Sequence, residues 1–263
     1  MIQRTLLISL LFGCSSASGA PAPSAAASAP APETISFPSE DGLPITADLY
    51  VAHGGTAPFV VLFHQAGWSR GEYRPIAPRL NQLGYDAMAV DLRSGGETRG
   101  VVNQTHARAV KKGVGTSYLD AEQDMRAALR YAREHYPKRT IIAWGSSYSA
   151  GLVLHLAGEH PELADVVLAF SPGEYFAKLG KSKDWVATAA AHIRAPVFIT
   201  SRRSEKSRWW PIYQAIPGKA KQFFLPATSG NHGSRALWPR FSDSGAYGKA
   251  VEAFLAARAP ARP

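Results

Sequence analysis

The sequence predicts an α/β domain with a mostly parallel central sheet and helices on both faces. Three observations carry that expectation. Short apolar runs alternate with stretches of helical spacing between residues 34 and 260, the pattern of successive strand–helix units. Phe59 to Phe63 is apolar without a break, as a strand buried on both faces requires. No segment repeats at a fixed period, and the opening strands come as a hairpin, so neither a solenoid nor an eightfold barrel fits.

Residues 1–13 stand outside that domain and read as a signal peptide. A short basic head, Met1 to Arg4, precedes the apolar run Leu6 to Gly13. That run is far shorter than the ~20 residues a membrane-spanning helix needs, so it matches a secretory signal. Leu11-Phe12-Gly13-Cys14 resembles the lipobox of bacterial lipoproteins, although Phe12 stands where a small residue is usual. Cys14 is the only cysteine. The resemblance implies a lipid on its sulfur, a membrane anchor and a bacterial envelope location, with Ser15 resembling lipoproteins sent to the outer membrane. The alternative is cleavage further on, near Ala17 to Ala22, which would discard Cys14 and leave a secreted protein. Residues 14–33 are nearly all Ala, Pro, Ser and Gly, too poor in apolar bulk for a core, and read as an extended tether. With no second cysteine, the domain relies on hydrophobic burial and not on disulfides.

The folded domain is expected over residues 34–260. Thr34 to Pro38 and Ile45 to Ala52 are predicted strands around a turn at Asp41-Gly42, followed by strand Phe59 to Phe63. Ile76 to Leu83 is a helix closed by Gly84, and Tyr85 to Val90 the next strand. Ser94 to Thr116 reads as a long, polar, glycine-rich connection. Leu119 to His135 has the clearest helical pattern, stopped by Pro137. Strand Ile141 to Trp144, a small-residue turn and a helix through Ala157 come next. Strands Val166 to Phe170, Val197 to Thr200 and Gln222 to Pro226, with helices near Trp209 to Ile216 and Ala246 to Ala259, complete the expected order.

The turn at Gly145-Ser146-Ser147-Tyr148-Ser149 fits Gly-x-Ser-x-Gly, except that serine replaces the last glycine. Strand, tight turn and helix, with serine in the turn, raise one hydroxyl above the sheet, which makes Ser147 the candidate nucleophile. A serine-rich loop that only caps the helix is the plainer alternative.

With that pentad in place, the chain resembles the α/β-hydrolase superfamily over about residues 34–258, in its lid-poor, dienelactone hydrolase-like branch. The resemblance implies a nucleophile–acid–histidine order along the chain. Glu205, in the loop after strand Val197 to Thr200, takes the acid position; it could instead be a surface glutamate among Arg202, Arg203, Lys206 and Arg208. Glu174 is the second candidate acid, because some members place theirs after the preceding strand. His232, in Ser229-Gly230-Asn231-His232-Gly233, takes the place of the general base. The two oxyanion-hole amides are expected from Tyr148, after the nucleophile, and from Ala66 in His64-Gln65-Ala66-Gly67, with Gln65 as the other possibility. His64 is expected to brace that loop.

The implied activity is hydrolysis of carboxylic esters through an acyl-enzyme, with peptidase, amidase or thioesterase chemistry open on the same triad. An inactive, envelope-tethered binding module is the alternative from another class. No metal or organic cofactor is implied. The formal charge of +9 is dispersed and lacks any zinc-finger or RNA-binding signature, so nucleic acid is not an expected partner. The expected partners are small-molecule or polymeric ester substrates and the membrane; the oligomeric state is not set by the sequence. Only 25 residues separate Phe170 from Pro196, too few for a large cap, and Trp68, Tyr73, Tyr148, Trp185, Trp209 and Trp210 are candidates to line the pocket, with helix packing an equal reading for Trp209 and Trp210.

Overall fold

The computed structural model describes residues 1–2 and 31–261. The signal peptide, Cys14 and nearly all of the tether lie outside the described residues. From Ala31 onward the chain folds as one compact unit.

The hairpin β1 (Glu33–Pro38) and β2 (Pro44–Tyr50) is antiparallel, and β2 also runs antiparallel to its other neighbour in the sheet. From there the strands are parallel: β3 (Phe59–Phe63), α1 (Ala77–Gln82) and β4 (Asp86–Val90) form the first crossover. A small hairpin, β5 (Glu97–Thr98) and β6 (Val101–Val102), leads into α2 (Gln104–Lys112). Then come α3 (Ala121–His135), β7 (Ile141–Ser146), α4 (Tyr148–Glu159), β8 (Val166–Phe170), α5 (Trp185–Ala190), β9 (Val197–Thr200), α6 (Lys206–Ala215), β10 (Lys221–Phe224) and α7 (Ser244–Arg258). The eight-stranded sheet has the order β1-β2-β4-β3-β7-β8-β9-β10.

Alternating side chains of each strand enter two separate cores. Phe59, Val61 and Phe63 pack with Met125 and Leu129 of α3, Leu152 and Leu154 of α4, and Ile212 of α6. Val60 and Leu62 pack with Leu80 of α1 and Val251, Phe254 and Leu255 of α7. This double cover is why β3 carries no polar residue.

The stretch expected as a featureless connection, 94–116, holds β5, β6 and α2. Its cues are local caps. Asn103 accepts the His106 N–H at 2.8 Å, and Gly113 closes the helix in the left-handed conformation (φ 68°). No large cap interrupts the sheet: between β8 and β9 lie a single 3-10 turn, Ala177–Leu179, and the six-residue α5. Buried Arg93 ties the loop after β4 to Asp124 of α3 at 2.7 Å and to Asp41 of the opening hairpin at 2.7 Å.

Candidate active site

All the sequence-predicted site residues of the domain lie at the carboxyl ends of parallel strands: Ala66 after β3, Ser147 and Tyr148 after β7, Glu205 after β9 and His232 after β10. Ser147 has φ 62° and ψ −120°, a left-handed backbone that costs a non-glycine residue roughly 1–3 kcal/mol. It is held there by its own N–H, which donates to Phe170 O at 2.8 Å. Gly145 permits the close pass of strand and helix: a Cβ there would collide with Ser149 O and meet Ala150 Cα at 2.6 Å. Ser149, where the usual pattern has glycine, is put to use. Its hydroxyl accepts the Ser146 N–H at 2.8 Å and donates to Phe63 O at 2.9 Å, pinning the turn to β3.

Glu205 and His232 meet directly, with Oε1 2.7 Å from Nδ1. Burial favours the neutral carboxyl, but the hydrogen bond and charge of His232, then the Ser171 hydroxyl and Arg202, outweigh it and hold Glu205 below its ordinary value. The acid and histidine loops are also joined by backbone, since Arg203 N–H donates to Ser229 O at 2.9 Å. Glu174 is occupied elsewhere. Its two oxygens accept the Val186 and Ala187 N–H groups, each at 2.9 Å, so it caps α5.

The histidine loop reaches the elbow from the other side. Gly233 N–H donates to Ser171 Oγ at 2.9 Å and Ser234 N–H to Ser146 Oγ at 2.9 Å. Gly233 has φ 69°, and a Cβ there would meet Ser146 Oγ at 2.6 Å. Among the described residues no hydrogen bond joins Ser147 to His232; the loops that carry them are bonded through the adjacent Ser146. Ser171, itself at φ 57°, holds the histidine loop through its bond from Gly233 N–H, and sequence reading did not single it out.

In the loop after β3, one of the two candidate amides is already engaged. Gln65 N–H donates to Glu72 Oε2 at 2.9 Å, whereas the N–H groups of Ala66 and Tyr148 have no hydrogen-bond partner among the described residues. His64 braces the loop: Nδ1 pairs with Gln65 O at 2.8 Å, and Nε2 accepts Leu92 N–H at 2.9 Å. Burial pushes its pKa down to about 4, so the ring is neutral at pH 7.

A cleft of about 460 Å³ adjoins the site, with Tyr175, Glu174, Lys183, Arg208 and Ile212 in its wall. Burial drives Tyr175 up to about 12, and the Glu205 charge adds to the rise. Its hydroxyl donates to Ser171 O at 2.8 Å, which ties the cleft wall to the end of β8. The aromatic lining expected from sequence is corrected here. Tyr73, Tyr148 and Trp209 are fully buried in the core, and Trp185 stacks on His155. Trp210 lies outside this cleft, in a separate surface depression with Arg203 and Lys206.

A family model described as serine aminopeptidase, S33, matches residues 56–209, which include the loop after β3, the turn at Ser147 and Glu205. Among solved structures, a dienelactone hydrolase from Anabaena variabilis superposes with a TM-score of 0.66 at 15% identity, covering 87% of this chain and 99% of that one. An esterase from Pyrococcus furiosus gives 0.63 at 17% identity, with 87% and 91% covered. A thermostable carboxyl esterase from Bacillus coagulans gives 0.64 at 12% identity, with 87% and 99% covered. No curated protein matches the sequence.

Proposed function

The chain belongs to the serine aminopeptidase S33 family of α/β hydrolases, and we propose that within it the protein cleaves carboxylic esters through an acyl-enzyme on Ser147. The observation that carries this reading is the 2.7 Å Glu205–His232 contact, with the histidine loop bonded to the residue before Ser147. Glu205 accepts the Nδ1 proton, which leaves Nε2 of His232 as the base. As the Ser147 oxygen attacks the ester carbon, Nε2 takes its proton, and the developing oxyanion is met by the Ala66 and Tyr148 N–H groups. Collapse of the tetrahedral intermediate expels the alcohol, which receives that proton. Water then attacks the acyl-enzyme with His232 again as base, and Ser147 is regenerated.

The absence of a large insertion between β8 and β9 leaves the site open, which suits bulky or polymeric esters. Amide cleavage is the second reading, favoured by the aminopeptidase description of the family. Hydrolysis of p-nitrophenyl acetate and of aminoacyl p-nitroanilides separates the two. Ester turnover that disappears in Ser147→Ala supports the proposal, and ester turnover that survives it removes Ser147 from the mechanism.

Cys14 is the proposed lipid-attachment point and residues 14–33 the tether to the bacterial envelope. Release of Cys14→Ser protein from the membrane fraction is the expected result.

A further inference from the structure

Glu72 has no part in the steps above, yet its carboxyl is wholly buried beneath them. It sits in the 3-10 turn Arg70–Tyr73, and nothing in Ser-Arg-Gly-Glu-Tyr marks it as interior. A buried carboxyl is costly unless its oxygens are satisfied, and here three donors converge on it. Oε2 accepts the Gln65 N–H at 2.9 Å, while Oε1 accepts the Ser146 hydroxyl at 2.7 Å and the Gln65 side-chain amide at 3.4 Å. Ser146 Oγ in turn accepts the Ser234 N–H at 2.9 Å. The Glu72 carbonyl accepts the Trp238 indole N–H at 3.0 Å, which ties the far end of the histidine loop to the same residue.

Each partner is one or two positions from a group with a proposed role. Gln65 precedes Ala66, Ser146 precedes Ser147, and Ser234 follows His232 by two. We propose that Glu72 is a positioning residue for the reaction: one buried carboxyl holds the oxyanion loop, the nucleophile turn and the histidine loop in a single register. This rests on the reading of Ser147, His232 and Ala66 given above.

The chemistry favours a carboxyl over its amide analogue. Gln65 N–H and the Ser146 hydroxyl both donate, and a glutamine at 72 would turn an NH₂ group toward one of them. By consuming the Gln65 N–H, Glu72 also leaves Ala66 as the amide available to an oxyanion. A residue that only stabilised the fold would, when replaced, lower stability and leave the turnover of folded molecules alone. A positioning residue lowers kcat with little change in KM.

The test is Glu72→Gln, assayed with p-nitrophenyl acetate and for its rate of labelling by a fluorophosphonate, with folding checked by a cooperative thermal transition. The expected loss is about ten- to a hundredfold in kcat per folded molecule, the scale of a misplacement near 1 Å, with KM within about threefold and labelling slowed in parallel. A folded variant with kcat within twofold of wild type overturns the proposal. Should Glu72→Gln not fold, Ser146→Ala, which removes one strut, decides: a several-fold loss of kcat supports the proposal and an unchanged kcat overturns it. Failure of the wild-type protein to turn over ester or accept the label would instead remove the Ser147 reading on which the proposal stands.

Discussion

Glu205 Oε1 lies 2.7 Å from His232 Nδ1, so the loops after β9 and β10 are joined side chain to side chain. These strands are neighbours, and β10 is the edge of the sheet. The short, parallel β9–β10 pair therefore sets where the imidazole stands relative to the central elbow.

Glu205→Gln is expected to keep the fold and lose about 10²- to 10⁴-fold in kcat, because the histidine loses the partner that fixes its tautomer. Glu174→Gln is expected to cost far less activity, since that carboxylate caps α5, and to lower stability by about 0.5–2 kcal/mol. Ester kinetics on both variants, with urea unfolding alongside, check the pair.

Gly145→Ala places a methyl against Ser149 O and Ala150 Cα. Backbone cannot yield there as a flexible side chain could. The expected destabilisation is at least about 1–3 kcal/mol with loss of ester turnover, read by thermal unfolding and by activity of whatever folds.

Arg93→Ala is expected to destabilise the domain by about 3–5 kcal/mol, because it leaves the Asp124 carboxylate buried without its cation. Urea unfolding measures this directly. Arg93 is 1% exposed, so loss of a surface ion pair does not account for such a change.

Two buried groups oppose each other in the pH dependence of stability. His64, held near pKa 4 by burial and by neighbouring His106, binds its proton less readily folded than unfolded, where its ordinary value is 6.5. Its contribution therefore falls as pH drops from 6.5 toward 4. Glu72, pushed up to about 7 by burial against the hydrogen bonds of Gln65 and Ser146 and the charge of Arg235, binds its proton more readily folded than unfolded, where its ordinary value is 4.5. With Tyr73 and Tyr148 also close to it, its contribution rises as pH drops through the same window. Each effect is on the order of 3 kcal/mol, so these two nearly cancel each other, while His155, pushed down to about 4 by burial and then by the charge of Lys181, adds a fall of its own as pH drops. Glu72→Gln is expected to remove the opposing contribution: its stability should fall more steeply between pH 6.5 and 4.5 than that of the wild type. Urea unfolding at the two pH values checks it, and Glu205, held below its ordinary value, adds a loss in both proteins at lower pH.

The parallel sheet was legible because β3, β8 and the first four residues of β7 are unbroken apolar runs, and the elbow because Gly145 and Ser147 sit between such a run and a helix. The positions of Glu205 and His232 followed from chain order, whereas their contact is a property of the β9–β10 pairing, which no local pattern encodes. Helix α2 escaped because its caps, Asn103 and Gly113, stand in a glycine-rich polar stretch whose average resembles a loop. Glu72, Ser146 and Ser171 escaped for a different reason: a polar residue becomes interior only when its partners arrive from distant segments. Ser149 looked like a poorer fit than glycine because side-chain volume is visible in sequence and its two hydrogen bonds are not.

The most direct measurement is the mass of the protein after reaction with a fluorophosphonate, followed by peptide mapping of the adduct. A single adduct on Ser147, absent from Ser147→Ala and strongly slowed in His232→Ala, is the predicted result. An adduct on another serine, or ester turnover retained by Ser147→Ala, would contradict the account.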